Sequence, residues 1–377
     1  MSIVILAAGL GKRMHSDLPK VLHPLAGQPL LAHVLAAARE LKPARLCVVY
    51  GHGGNAVSEH FAGQDLIMVK QDPQLGTGHA LQQALPHLAK TELTLVLYGD
   101  VPLIAADTLR GMLKPKQLTL LTVKLDDPAG YGRIVRDKKG AIKRIVEQND
   151  ASAAEKKIRE INTGIMAIPT AKLSSWLAKL SNRNAQREYY LTDIVAQAIK
   201  DKVKVAAAQV AHAWETLGVN SKAQLAQLER LYQNARAAQL LEQGVTLADP
   251  GRIDIRGELD CGRDVAIDIG CVFEGKVSLG NKVKVGAYCV LKDVKITAGS
   301  ELLPYCVIEG AQIGKDCRVG PYSRIRPGTA LDDAAHVGNF VEVKNSRIGA
   351  GSKANHLSYV GDTTVGRNVN IGAGTIT

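Results

Sequence analysis

Two hydrophobic rhythms run along the chain, and one gives way to the other near residue 220. In the first part, short apolar runs alternate with stretches of helical spacing. Ile3–Leu6, Leu46–Tyr50, Leu66–Val69, Leu93–Tyr98 and Leu118–Val123 are predicted strands, and Leu30–Leu41 and Gly78–Leu88 are predicted helices. This alternation predicts an α/β, Rossmann-like domain with a mainly parallel sheet. Ligands of such folds bind beyond the carboxyl ends of the strands. From Ser221 to about Glu242 apolar residues keep helical spacing, with Ser221 suited to the N-cap, and one connecting helix is expected.

The second part repeats in sixes. Aliphatic positions fall at Ile255, Ile267, Leu279, Val285 and Leu291, with Cys261 and Phe273 in phase. After five-residue steps the phase resumes at Ile296, Ile313, Ile348 and Val365. A sustained hexapeptide rhythm predicts a left-handed parallel β-helix, three hexads to a coil, with one aliphatic side chain per face pointing inward. Cys271, Cys289, Cys306 and Cys317 each precede a repeat aliphatic by two, where a small inward side chain is wanted, so they read as packed thiols. The expected domains are 1–220, a helical linker over 221–245, and a β-helix over 246–377. Thr377 falls in mid-repeat, which suggests a truncated chain whose last coil has an open edge.

Composition narrows the partners. Aromatic residues are only 4% of 377, as an aliphatic repeat requires, and the net charge of +11 suits nucleotides or sugar phosphates. No Lys/Arg run interleaves with aromatics, so nucleic acid is not an expected partner. No apolar stretch is long enough for a membrane span. The apolar start at Ile3 is followed, not preceded, by charge, unlike a signal peptide. Six cysteines without Cys-x-x-Cys spacing read as reduced thiols of a cytoplasmic protein.

The candidate chemistry lies at predicted strand ends. Ile3-Val-Ile-Leu-Ala-Ala-Gly-Leu-Gly-Lys-Arg-Met14 delivers a small-residue turn and then cations, which suits a phosphate chain or, more simply, a tight turn with surface charge. Lys20 is either a mobile cation for a phosphate or an ordinary loop lysine. In the loop Gln71 to Ala80, a Gln amide can pair with a base edge, and Thr77 can equally be a helix N-cap. The strand Leu93–Tyr98 ends in Gly99-Asp100, placing a carboxylate either where nucleotide chemistry needs a Mg²⁺ ligand or where it simply caps. Glu147 and Asn162 end apolar runs and either suit sugar hydroxyls and an N-acyl group or are ordinary solvated strand ends. Thr192, before a predicted helix, reads as a cap. In the repeat, Arg326, Lys344, His356, Tyr359 and Asn370 interrupt the rhythm. Arg and Lys suit a sugar phosphate, and His356 suits a general base.

Taken together, Leu6 to Met14, Pro19-Lys-Val-Leu22, Gln71 with Gly76-Thr-Gly78, Tyr98-Gly-Asp100, Gly130-Tyr-Gly-Arg133, Glu160-Ile-Asn-Thr-Gly164 and Glu188-Tyr-Tyr-Leu-Thr-Asp193 resemble the sugar-nucleotide pyrophosphorylases. More narrowly, they resemble the bacterial bifunctional N-acetylglucosamine-1-phosphate uridylyltransferase / glucosamine-1-phosphate acetyltransferases. The resemblance implies that Leu6, Ala7, Ala8, Gly9 and Gln71 hold the uracil nucleotide of UTP, with Gly76, Thr77 and Tyr98 close by. It implies Arg13 and Lys20 on phosphates and Asp100 and Asn220 on Mg²⁺. Gly132, Glu147 and Asn162 would contact N-acetylglucosamine-1-phosphate. His356 would be the acetyl-transfer base, with Arg326, Lys344, Tyr359 and Asn370 on glucosamine-1-phosphate and acetyl-CoA as co-substrate. It further implies a homotrimer with acetyl sites between subunits. The family's later coils, with an Asn-Tyr pair and most coenzyme A contacts, lie beyond Thr377, so impaired acetyl transfer is expected. Two other readings stand beside it: another sugar-1-phosphate nucleotidyltransferase with a non-catalytic β-helix, and a nucleotide-binding scaffold subunit.

Overall fold

The structure is a computed structural model that describes every residue except Leu10, His52, Gly54, Pro115 and Ala211. Leu10, inside the opening glycine-containing turn, therefore lies outside the described residues. The chain divides into two compact units, one of residues Met1–Pro24 and Pro29–Leu228, the other of Leu25–Gln28 and Glu229–Thr377.

The first unit is built on one sheet. Its strands are β1 (Ser2–Leu6), β2 (Arg45–Tyr50), β3 (Ile67–Lys70), β4 (Leu93–Tyr98), β5 (Leu118–Lys124), β6 (Gly132–Arg136), β7 (Ile142–Val146), β8 (Glu160–Pro169) and β9 (Val205–Gln209). The order across the sheet is β9-β5-β8-β4-β1-β2-β3, with the hairpin β6–β7 attached to β8. β1 is parallel to both β2 and β4, whereas β8 runs antiparallel to β4 and β5. Every residue of β1 is buried. Ile3 and Ile5 face one core with Leu31 and Val34 of helix α1 (Leu30–Glu40), while Val4 and Leu6 face another with Leu81 of helix α2 (Thr77–Ala84). A strand covered on both faces reads as a continuous apolar run, which is why the motif begins Ile-Val-Ile-Leu. Each such side chain contributes about 1.5–3 kcal/mol by leaving water.

Helix α3 (Lys222–Glu242) follows, with Ser221 Oγ accepting from the Gln224 N–H at its start.

The second unit is the left-handed β-helix. One sheet stacks two- to four-residue strands from Thr246–Leu247 to Asn370–Ile371. A second sheet has two rows that meet in the nine-residue strand Cys271–Leu279, giving the prism its other two faces. Register partners lie 18 residues apart at Ile253↔Cys271 and 17 apart at Lys284↔Glu301. The five-residue steps in the sequence are these shortened coils. Ile255, Leu291, Ile308, Val319, Val337, Val343 and Ile348 are fully buried or within 1% of it. Cys271, Cys289, Cys306 and Cys317 are buried as packed thiols, and all six cysteines are unpaired. Serines fill the equivalent corners: Ser300, Ser323 and Ser352 each donate to a carbonyl one coil on, at 2.6–2.7 Å. The corner takes a small side chain; cysteine or serine there also donates to a carbonyl, while Val283, Ala335 and Val341 fill equivalent positions without a donor.

Candidate nucleotide and acetyl sites

Parallel pairing brings the carboxyl ends of β1, β2 and β4 level. Leu6 pairs with Val49 and Tyr98, Gly99 N–H donates to Leu6 O at 2.9 Å, and Gln71 N–H donates to Tyr50 O at 2.7 Å. The result is a cavity of about 310 Å³ over those ends. Leu6, Ala7, Ala8 and Gly9 form one wall, Gln71, Gly76 and Thr77 another, and Lys20, Tyr98 and Asp100 a third. Gln74 and Glu188, to which sequence reasoning gave no role, also line it.

At one side Lys20 Nζ forms an ion pair with Asp100 and donates to Asn220 Oδ1 at 3.1 Å. Residues 120 apart meet here because Val219 N–H donates to Asp100 O at 2.9 Å. Two hard oxygen donors thus converge on one cation position. Among the described residues no cluster of three or more His, Cys, Asp or Glu stands ready for a metal. A cation held by Asp100 and Asn220 would complete its shell with water and substrate oxygens, which is the habit of Mg²⁺, so the donor set fits.

The Tyr98 ring packs against Gly164, whose φ of +86° and missing Cβ leave room for it. This glycine sits where β8 shifts register between Asn162 and Met166. Burial holds the Tyr98 phenol well above its ordinary value; the Glu147 and Asp100 carboxylates push the same way, and Thr77 opposes them. Asn162 is buried, and its Oδ1 has no partner among the described residues. Such an orphaned acceptor suits a ligand donor. Gly132 pairs with Asn162 across the sheet and leaves space for the Glu147 carboxylate, which a Cβ there would crowd at 3.2 Å. Burial raises the Glu147 carboxyl above its ordinary value, partly offset by the Thr192 hydroxyl, which donates to it at 2.9 Å. Gly132, Glu147, Asn162 and Asn220 are not part of the cavity wall. Arg13 is exposed on the one-turn helix Lys12–Met14, also away from that wall.

Two capping expectations are corrected. Thr77 is the first helical residue of α2, and its hydroxyl accepts from the Leu191 N–H at 3.1 Å instead of capping its own helix. Thr192 caps nothing and donates to Glu147. With Tyr189 N–H on Leu75 O and Gly78 N–H on Tyr189 O, both at 2.8 Å, residues Glu188 to Asp193 tie the Gln71–Gly78 loop to the β6–β7 hairpin. The hydroxyls went to long-range partners that no local spacing reveals.

In the β-helix the candidates divide between two faces. Arg326, Lys344 and Tyr359 lie on or just beyond the strands Arg324–Ile325, Glu342–Lys344 and Tyr359–Gly361, which are neighbours in one row. Arg326 pairs with Glu342 at 2.9 Å and Lys344 with Asp362 at 3.5 Å. His356 and Asn370 lie on the other sheet, on strands Lys353–His356 and Asn370–Ile371. His356 is exposed, with Nδ1 3.0 Å from Asn339 Oδ1. An amide oxygen accepts from Nδ1–H and leaves the Nε2 lone pair outward, as a base requires.

An open α/β sheet whose strand ends frame a cavity with the Lys20–Asp100 ion pair, followed by a hexapeptide β-helix, fits the nucleotidyltransferase class. A MobA-like NTP transferase domain matches residues 3–127 and a GMPPB C-terminal domain matches residues 255–348. The Bifunctional protein GlmU of Nitrosospira multiformis is 64% identical over 350 residues, covering 92% of this chain and 76% of that protein. Those of Cupriavidus pinatubonensis and Janthinobacterium sp. are 62% and 63% identical, each over 92% of this chain and 77% of the relative. The chain belongs to the bifunctional GlmU family.

Proposed function

We propose that the first unit transfers a uridylyl group from UTP to N-acetylglucosamine-1-phosphate, giving UDP-N-acetylglucosamine and pyrophosphate for cell-wall precursor synthesis. The second unit belongs to the acetyl transfer from acetyl-CoA to glucosamine-1-phosphate. Family membership across both units favours this over a non-catalytic β-helix or a scaffold. The observation that carries the first activity is the meeting of Lys20, Asp100 and Asn220 beside the cavity.

The sugar phosphate oxygen attacks the α-phosphorus, the bond to the bridging oxygen breaks, and pyrophosphate leaves with that electron pair. Mg²⁺, held by Asp100 and Asn220, would neutralise charge as these two polyanions meet. Lys20 adds a second positive charge at the same place, and Arg13, on the neighbouring turn, is assigned to the outer phosphates. The Leu6–Gly9 backbone and Gln71 position the nucleotide, while Glu147, Asn162 and Gly132 receive the sugar. No side chain need bond covalently to substrate.

For acetyl transfer, His356 takes the proton as the glucosamine amine attacks the thioester carbonyl and coenzyme A thiolate leaves. Arg326, Lys344, Tyr359 and Asn370 hold the sugar phosphate. Their division between two faces supports a site completed by another copy, and hence a homotrimer. A ladder of stacked rings supports the same assembly: Tyr288, Tyr305, Tyr322 and Phe340, with centroids 4.9–5.4 Å apart, are 41–56% exposed along one corner. An exposed apolar stripe of this kind marks an interaction surface. We assign the protein to the cytoplasm, where UTP and acetyl-CoA are made and where six unpaired thiols persist. No helix among the described residues is long and apolar enough to cross a membrane.

The test is pyrophosphate release from UTP and Mg²⁺ with and without N-acetylglucosamine-1-phosphate. Strong sugar-dependent release is expected; UTP binding without release overturns the assignment.

A further inference from the structure

Gln71 is 2% exposed yet lines the cavity, so the way its amide is turned decides what a bound base meets. Gln71 Nε2 lies 3.0 Å from Gly76 O and 3.1 Å from His79 Nδ1. A carbonyl only accepts, so the nitrogen end of the amide faces Gly76. Its second N–H then needs an acceptor, and His79 Nδ1 supplies one. A neutral imidazole carries one proton, which therefore sits on Nε2. The nearest Gln83 atom to that nitrogen, one helical turn on in α2, is the amide Nε2 at 3.1 Å. Two N–H donors cannot face each other, and because the Gly76 carbonyl fixes the Gln71 amide, it is the Gln83 amide that must turn to present its oxygen to His79. With both N–H groups engaged, Gln71 Oε1 makes no hydrogen bond among the described residues.

We infer that His79 is a specificity-determining, positioning residue: it locks the Gln71 amide so that an acceptor is presented to the base, which favours a pyrimidine carrying N3–H over cytosine. The inference rests on the reading that Gln71 meets the base. Uracil offers N3–H to an acceptor. Cytosine offers a lone pair at N3, which would face Oε1 unpaired, and a site built for a hydrogen bond rejects the partner that cannot make it. If Gln71 could turn freely, its nitrogen end would serve cytosine equally well. His79 removes that option without touching the nucleotide.

The experiment measures kcat/KM for UTP and CTP by pyrophosphate release, using the full chain with N-acetylglucosamine-1-phosphate. His79→Phe keeps a ring but removes the acceptor, and the UTP:CTP ratio should fall by about tenfold or more. Gln71→Ala should lower the ratio as well, and the double variant should lower it no further. Equal losses with UTP and CTP in His79→Phe would mean a merely structural role and would overturn the inference. So would an unchanged ratio in His79→Phe alongside a collapsed ratio in Gln71→Ala, which leaves the Gln71 reading standing. An unchanged ratio in Gln71→Ala overturns that reading and the inference with it. Nitrogen NMR of the His79 ring decides independently of any variant: the Nε2–H tautomer is expected, and an Nδ1–H tautomer refutes the lock.

Discussion

Asp100→Asn separates the ion-pair role of this carboxylate from its proposed role as a metal ligand. The side chains of Lys20 and Asp100 are only 11% and 18% exposed. An exposed ion pair contributes about 0–1 kcal/mol, whereas removing one partner of a fully buried pair costs about 3–5 kcal/mol. This pair lies toward the buried limit, but Asn220 Oδ1 at 3.1 Å remains as one acceptor for the ammonium. A loss of about 2 kcal/mol is therefore expected in the first unit. Both tryptophans, Trp176 and Trp214, lie in that unit, so their fluorescence in urea reports on it alone. Turnover should fall further, by about 100-fold or more, through the lost metal ligand. Adding Lys20→Met removes the stranded charge. The double variant should recover most of the stability and none of the turnover. Wild-type turnover of Asp100→Asn at limiting Mg²⁺ would refute the metal assignment. A double variant no more stable than the single one would refute the buried-pair argument.

Three further outcomes follow from other parts of the chain. Burial raises the Glu147 carboxyl above 4.5, so its contribution is full below the unfolded value and is lost as pH rises through the folded one. Glu147→Gln should therefore gain stability relative to the parent between pH 4 and pH 7 in urea titrations, and a margin moving the other way would contradict the burial argument. His356→Ala should abolish any acetyl transfer while sugar-dependent pyrophosphate release stays within about twofold, because the residue belongs to the other unit; acetylation at the parent rate would remove His356 from the base role. Tyr322→Glu with Phe340→Glu puts charges into the ring ladder, whose members there are 5.4 Å apart. Sedimentation should show monomers with the circular dichroism of the parent, and an unaltered trimer would place the interface elsewhere.

Periodicity carried the fold well because each rhythm here has one physical cause. The six-residue phase resumes after every five-residue step, since an inward apolar side chain, Phe273 among them, must fill the prism at that point. The same logic identified the buried cysteines, whose corners are occupied elsewhere by Ser300, Ser323 and Ser352. The strands β1 to β5 were legible within a residue or two, as runs buried on both faces are mostly apolar, with Ser2, Thr94, Thr119 and Thr122 the polar exceptions among their buried residues. The antiparallel β8 was not: its ten residues carry Asn162 and a left-handed Gly164, and local pattern says nothing about strand direction.

Of the candidate site, the cavity-lining strand ends and loops were legible in the sequence, but their connections were not. Strand ends announce Asp100 and Gln71, because polar residues after an apolar run must emerge at the sheet's edge. What orients them comes from afar. Thr192 reaches Glu147 over 45 residues, Lys20 reaches Asn220 over 200, and Leu191 takes the hydroxyl of Thr77 that local spacing assigns to a cap. A side-chain hydroxyl or amide serves whichever partner the fold brings within about 3 Å. At a helix start the backbone is always within reach, so a cap is the natural local reading. It yields where a second element supplies an N–H or carboxylate that burial would otherwise strand, since an unpaired buried polar group costs about 1–3 kcal/mol. That asymmetry explains why both failed caps lie where loops of the site are tied together, Thr77 on the cavity wall and Thr192 against Glu147. There, loops from different strands converge, and their unpaired groups compete hardest for each hydroxyl.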